Sequence, residues 1–198
     1  MKIFTNIEQG SPEWFDLRKC KLTASHGCEI GNNGKGLETY IVKMMAESYS
    51  SGMAEKFSNE HLERGIELET QARTLYELEN GVAVAQVAFV ELNEYVGCSP
   101  DGLVGEDGLI EIKSPSDINH FKMILNGEKE VDSKYIWQTQ MQMLITGRKW
   151  CDLVFYCPNY EKSMIVFRIL PDAEKFDSLE KGFAAGIKRI QEIKRLIK

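Results

Sequence analysis

Between Cys98 and Ser116 the chain reads Cys-Ser-Pro-Asp-Gly-Leu-Val-Gly-Glu-Asp-Gly-Leu-Ile-Glu-Ile-Lys-Ser-Pro-Ser, and no other stretch restricts the fold as strongly. Side chains alternate along a strand, so Leu109-Ile110-Glu111-Ile112-Lys113 sets Ile110 and Ile112 on one face and Glu111 and Lys113 on the other. The apolar face must be covered by another layer; the opposite face presents a carboxylate beside an ammonium. Pro100-Asp101-Gly102 and Gly105–Gly108 are turn sequences, which makes this a hairpin. A regular four-residue loop at Gly105–Gly108 sets Asp101 opposite Ile112 and turns it away from Glu111. For the two carboxylates to meet, Pro100 and Gly102 must break the pleat, as a bulge or bend.

Two carboxylates and a main-chain carbonyl are what a hard cation such as Mg²⁺ accepts, with waters and substrate phosphate completing its shell. Asp101, Glu111 and the carbonyl of Ile112 are the candidate ligands. Lys113 would lie where a water loses its proton, its charge favouring hydroxide and the charge that develops on phosphorus. Spacing alone equally describes a surface hairpin with a solvated ion pair. The full string, Ser-Pro-Asp-Gly-Leu followed by Leu-Ile-Glu-Ile-Lys-Ser-Pro, is narrower. It resembles the catalytic core of the restriction-endonuclease-like PD-(D/E)xK nuclease superfamily, and most closely the lambda-type exonucleases, the YqaJ-like viral recombinase family.

At 198 residues the chain is long enough to bury a core, and 43% hydrophobic with 27% charged residues is a globular composition. No run approaches the roughly 20 apolar residues of a membrane span, and the N-terminal sequence lacks an apolar signal core, so a cytoplasmic location without membrane contact is expected. The five cysteines form no Cys-x-x-Cys pair, which indicates reduced thiols rather than a disulfide framework or a zinc site. A net charge of −6 runs against the basic face usual for polyanion binders. Local basic clusters can still steer DNA. Arg18, Lys19 and Lys21 form one; Lys188, Arg189, Lys194, Arg195 and Lys198 form another, which also fits the solvated face of a terminal helix.

Ser11-Pro12 opens a short helix through Arg18, and Thr23 is read as capping another. A helix N-terminus near an arginine suits phosphate, although any capped helix looks the same. Gln9-Gly10, Trp14, Leu17-Arg18 and Leu22-Thr23-Ala24-Ser25 resemble the family's N-terminal signature, which implies that Arg18 and Ser25 hold a 5′-terminal phosphate. Residues 31–36 read as a loop before a helix from about Leu37 to Ser51. Ser58 or Asn59 caps a helix to about Glu79, with Leu62, Gly65 or Ile66, Glu69, Ala72 or Arg73, and Tyr76 on one face. Arg73 sits where it can simply pair with Glu69. The family resemblance implies instead that Glu69 is a third acidic residue of the site.

Val82 to Leu92 reads as one strand, Asn119 to Leu125 as a short helix, and Asp132 or Ser133 as the cap of a helix to Thr146. On that helix Gln138 and Gln140 lie about 200° apart while Gln142 shares the side of Gln138. The family has a Gln-x-Gln pair here, with the first near the scissile phosphate, so Gln138 is preferred and Gln140 stands second. Asp152–Cys157 and Met164–Ile169 form a hairpin, and an apolar stripe from Phe176 to Ile197 marks a helix that packs or makes an oligomer contact. His26, His61 and His120 show no ligand spacing.

The expected fold is α/β (α+β), a restriction-endonuclease-like central mixed β-sheet with helices on both faces, as a single nuclease domain over residues 1–198. The resemblance implies a Mg²⁺-dependent exonuclease, with Mn²⁺ able to substitute. It digests one strand of linear double-stranded DNA from the 5′ end to mononucleotides and leaves a 3′ overhang. It also implies a homotrimer that threads DNA, a phage or prophage origin, and a single-strand annealing protein as partner in recombination. A restriction-like or junction-specific endonuclease would share Asp101, Glu111 and Lys113; a non-catalytic DNA-binding module would bind without needing a metal, and the intact charged triad counts against it.

Overall fold

The computed structural model describes residues 1–50 and 60–197, with residues 60–64 as backbone only. The chain begins with β1 (Lys2–Phe4), α1 (Pro12–Arg18), β2 (Leu22–Thr23), a 3₁₀ turn (Ala24–His26), α2 (Gly27–Asn32), α3 (Lys35–Tyr49) and α4 (Glu60–Asn80). Five short strands follow: β3 (Val84–Ala85), β4 (Phe89–Asn93), β5 (Val96–Cys98), β6 (Gly102–Val104) and β7 (Gly108–Lys113). Then come α5 (Asp117–Asn126), a 3₁₀ turn (Gly127–Glu130), α6 (Ser133–Thr146), the hairpin β8 (Trp150–Tyr156) and β9 (Met164–Ile169), and α7 (Ala173–Leu196).

Helix ends follow the capping chemistry of the sequence in most places. Ser11 accepts from the Trp14 amide at 3.2 Å with Pro12 at the first helical position. Asp132 caps α6 through the Lys134 amide, and Gly147 closes it in the left-handed conformation. Thr23 behaves differently from its reading as a cap: it ends a strand and its side chain caps nothing. The loop expected over residues 31–36 shrinks to Asn33-Gly34, because the flanking helical segments run in from both sides. The Ser58 or Asn59 cap, Ser51, and the side chains of His61 and Leu62 lie outside the described residues.

The strands form two mixed sheets rather than one. A five-stranded sheet has the order β3-β6-β7-β8-β9, and a four-stranded sheet the order β1-β4-β5-β2. Val82 to Leu92 is therefore two strands in different sheets, β3 and β4, separated at residues 86–88 where the chain crosses between them. In the larger sheet β7 is central, antiparallel to β6 and parallel to β8. Ile110 and Ile112 face α4 and pack with Ala72 and Tyr76. Leu153 and Phe155 of β8 pack with Met123 of α5 and the flank of α6. Helices thus cover both faces, as expected. Leu109 and Ile110 are fully buried on opposite faces, each worth roughly 1.5–3 kcal/mol of transfer free energy.

α7 is a packing helix over most of its length. Leu179, Phe183 and Ile190 are buried, and Gly182 lets the backbone come so close to α2 that an added Cβ would lie 2.1 Å from the Ile30 carbonyl oxygen. No helix among the described residues is long and apolar enough to cross a membrane. None of the five cysteines forms a disulfide, and Cys98, Cys151 and Cys157 are buried.

Candidate active site

The register of the β6–β7 hairpin decides whether two carboxylates meet. Val104 pairs with Gly108, Leu103 with Leu109 and Gly102 with Ile110, so one further step sets Asp101 across from Glu111. The loop holds three residues, Gly105 to Asp107, where a four-residue loop was expected. Gly105 takes a left-handed φ of +53°, which a glycine adopts without steric cost. No bulge is needed to bring the carboxylates together. Asp101 sits at a bend immediately before β6, and its Oδ2 accepts the Ile112 amide at 2.6 Å. That bond leaves Asp101 Oδ1 without a hydrogen-bond donor among the described residues.

Glu111 is only 2% exposed, yet its carboxylate is well satisfied. Lys113 Nζ and Gln138 Nε2 donate to Oε1 at 2.6 and 2.5 Å, and Gln142 Nε2 donates to Oε2 at 2.6 Å. Gln138 and Gln142, one helical turn apart on α6, hold the two oxygens in a fixed orientation. Gln142 was not among the expected site residues; its only signal in the sequence was its place on the same side as Gln138. Gln140 faces away, bonding Leu170 O and the Asp172 amide at 2.7 and 2.9 Å, so it anchors the start of α7.

Charge is crowded here. Burial pushes the Asp101 carboxyl well above the usual carboxylate range, and Glu111 and Glu69 push it further. Burial also raises Glu69, partly offset by Arg73. For Lys113 burial favours the neutral amine, but Glu111 and Asp101 outweigh it and hold the group as an ammonium. Lys113 therefore presents a positive charge beside the two carboxylates. Glu69 is ion-paired with Arg73 on the same face of α4. Among the described residues no three His, Cys, Asp or Glu side chains form a metal cage. The candidate donors, Asp101, Glu111 and the Ile112 carbonyl, are all oxygen. Burial first, and then the neighbouring Glu111 and Glu69 charges, disfavour the Asp101 carboxylate, and a bound divalent cation offsets both, so the residues fit a hard cation that keeps waters of its own.

A second cluster lies beside the first. Arg18, the last residue of α1, stacks on Trp14 with its guanidinium 4.3 Å from the ring centroid. It donates to Ser99 Oγ at 3.3 Å and to Thr23 Oγ1 at 3.5 Å, and the Thr23 and Ser25 hydroxyls are 3.4 Å apart. Arg18 and Ser25 are thus brought together around Thr23. Burial lowers the Arg18 pKa, and its only hydrogen-bond partners among the described residues are neutral hydroxyls. A partly buried guanidinium bonded only to neutral groups, with the Glu111 carboxylate acting on it from beyond hydrogen-bond reach, has donors to offer an anion. Ser99, also unforeseen, accepts from both Arg18 and the Trp14 indole at 3.0 Å. It lies two residues before Asp101, so one loop carries both clusters.

Comparison with known proteins agrees with this fold. The solved structure of LHK-Exo in complex with dAMP is 33% identical and superposes with a TM-score of 0.82, over 94% of this chain and 96% of that one. The alkaline exonuclease LHK-Exo from Laribacter hongkongensis in a second crystal structure gives 33% identity and a TM-score of 0.78, over 94% and 98%. A phage-related exonuclease from Haemophilus somnus 129PT shares the fold at 17% identity, with a TM-score of 0.67 over 92% and 99%. No curated protein matches the sequence. A sequence profile of the YqaJ-like viral recombinase domain matches residues 13–149, a span that holds Arg18, Asp101, Glu111, Lys113, Gln138 and Gln142. The chain belongs to the YqaJ-like viral recombinase domain family, whose solved relatives here are exonucleases.

Proposed function

We propose that this protein is a Mg²⁺-dependent exonuclease that digests one strand of linear double-stranded DNA from its 5′ end and leaves a 3′ single-stranded overhang. The observation that carries this reading is that Ser99, which accepts from Arg18, lies on the same loop as Asp101. A phosphate held at Arg18, Ser25 and Ser99 would place the next phosphodiester toward Asp101 and Glu111. The 33%-identical LHK-Exo was solved with dAMP, a single nucleotide of the kind that stepwise hydrolysis releases.

Asp101, Glu111 and the Ile112 carbonyl would hold the cation, with Glu69 able to reach it through water. When bound, Mg²⁺ or Mn²⁺ supplies Lewis-acid polarisation of the phosphate and lowers the pKa of a coordinated water. The chain's own residues do the rest. Gln138 and Gln142 keep the Glu111 carboxylate in one orientation. The Lys113 ammonium favours hydroxide at the attacking position and offsets the negative charge that grows on the phosphoryl oxygens. Arg18 fixes the terminal phosphate through charge-assisted bonds and so orients the chain for in-line attack.

The same proposal makes residues 1–198 one nuclease domain, working in the cytoplasm of a bacterial host on phage or prophage DNA. It extends to a homotrimer that threads duplex DNA and to a single-strand annealing protein that receives the overhang. The test is a linear duplex labelled at either the 5′ or the 3′ end, and a covalently closed circle of the same sequence, each incubated with Mg²⁺. Early release of the 5′ label as mononucleotide with an intact circle is expected. Cutting of the circle would establish an endonuclease, and binding without cutting a non-catalytic module.

A further inference from the structure

Asp101 meets Glu111 only because the hairpin loop has three residues. A slip of β6 by one residue would turn Asp101 to the opposite face, since side chains alternate with a period of two. The loop sequence Gly105-Glu106-Asp107-Gly108 does not choose between three and four residues, because glycine stands at both ends. Along its other edge β6 is paired only with β3, two residues long. Something else must set the register.

Arg148 lies just beyond Gly147, the residue that closes α6. Its Nη1 donates to Gly105 O at 2.6 Å and Gly108 O at 3.0 Å, with Val104 O at 3.4 Å, so one guanidinium nitrogen spans both ends of the loop. The neighbouring amides of Lys149 and Trp150 donate to Asp107 O at 2.8 and 3.3 Å. The Trp150 ring lies so close to Gly108 that an added Cβ would meet it at 2.1 Å. The carbonyls of residues 104, 105 and 108 point at a common centre in this loop, and a four-residue loop would redirect them.

We propose that Arg148 is a positioning residue for the candidate site: it selects the three-residue loop and so holds Asp101 opposite Glu111. α6 and the segment after it then fix β7 at both ends, through Gln138 and Gln142 on the carboxylate and through Arg148 on the turn. The assignment rests on the reading of Asp101 and Glu111 as a cation-holding pair.

Arg148→Ala tests it through three readouts. Hydrogen exchange at the Ile112 amide, which Asp101 accepts, should quicken while the Leu153 amide in β8 stays as protected as in the parent. Mn²⁺ affinity, titrated without DNA, should fall about tenfold or more, as when a ligand loses the support that orients it, because Asp101 would no longer be held opposite Glu111. On linear duplex kcat should fall with KM unchanged, and millimolar guanidinium should restore part of both losses. Mn²⁺ affinity and Ile112 protection equal to the parent's would overturn the proposal, as would equal loosening of Ile112 and Leu153 with no guanidinium rescue. Should Arg148→Ala fail to fold, Arg148→Lys carries the test, because an ammonium on a shorter stem reaches fewer of the three carbonyls. An Arg148→Lys protein indistinguishable from the parent in all readouts would overturn it. Glu111→Gln is run in parallel: undiminished Mn²⁺ binding there faults the cation site itself, while Ile112 exchange still reports on the register.

Discussion

Lys113→Ala is expected to lower kcat on linear duplex by about 10²–10³-fold, the range for removing a fixed charge from a developing oxyanion, with DNA affinity nearly unchanged. Lys113 donates to Glu111 Oε1 at 2.6 Å, and the adjacent carboxylates hold it protonated against the pull of burial. Its loss removes the one ammonium bonded to Glu111 but leaves Gln138 and Gln142 bonded there, so the carboxylate stays in place. The effect should therefore fall on the chemical step. Lys113→Met, which keeps the length of the stem, should lose activity equally. Single-turnover cleavage beside anisotropy of labelled duplex separates the two effects; unchanged turnover would remove Lys113 from the mechanism.

Arg18→Ala is expected to lower kcat/KM on 5′-phosphorylated ends by roughly 10- to 100-fold, from the roughly 1.5–3 kcal/mol of hydrogen bonds to a charged group. Ends carrying a 5′-hydroxyl should be affected little. The selectivity follows from what Arg18 touches: an indole face and two hydroxyls, none of which balances its charge. In the parent protein the two kinds of end should differ by a similar factor, and in the variant they should converge. Equal loss on both ends would mean that Arg18 holds the fold of α1 rather than the phosphate.

Local chemistry was legible in the sequence wherever the determining residues are neighbours. The Asp132 cap, the Thr146 end and Gly147 bounded α6, and Met164–Ile169 was read as a strand with its final limits. What depended on distant partners was not legible. Val82 to Leu92 is valine-rich throughout, and only the existence of a second sheet splits it between β3 and β4. The loop length at Gly105 was misjudged because two glycines permit either count, and the contacts that decide it come from Arg148 to Trp150, about forty residues on.

The same division runs through the candidate site. Asp101, Glu111 and Lys113 stood out as a pattern, and helical geometry already separated Gln138 from Gln140. That Gln142 reaches the second oxygen of Glu111 depends on how α6 crosses β7, which no periodicity encodes. Ser99, 81 positions along the chain from Arg18, joined its cluster only when the chain folded back to bring the two together. For Glu69 the ion pair with Arg73 foreseen from the spacing is present.

The most direct measurement is anomalous scattering from crystals soaked in Mn²⁺. The account predicts a peak between the Asp101 and Glu111 carboxylates and in contact with the Ile112 carbonyl oxygen, lost in Glu111→Gln. Mn²⁺ bound elsewhere in an enzyme that remains active, with nothing between those two side chains, would contradict it.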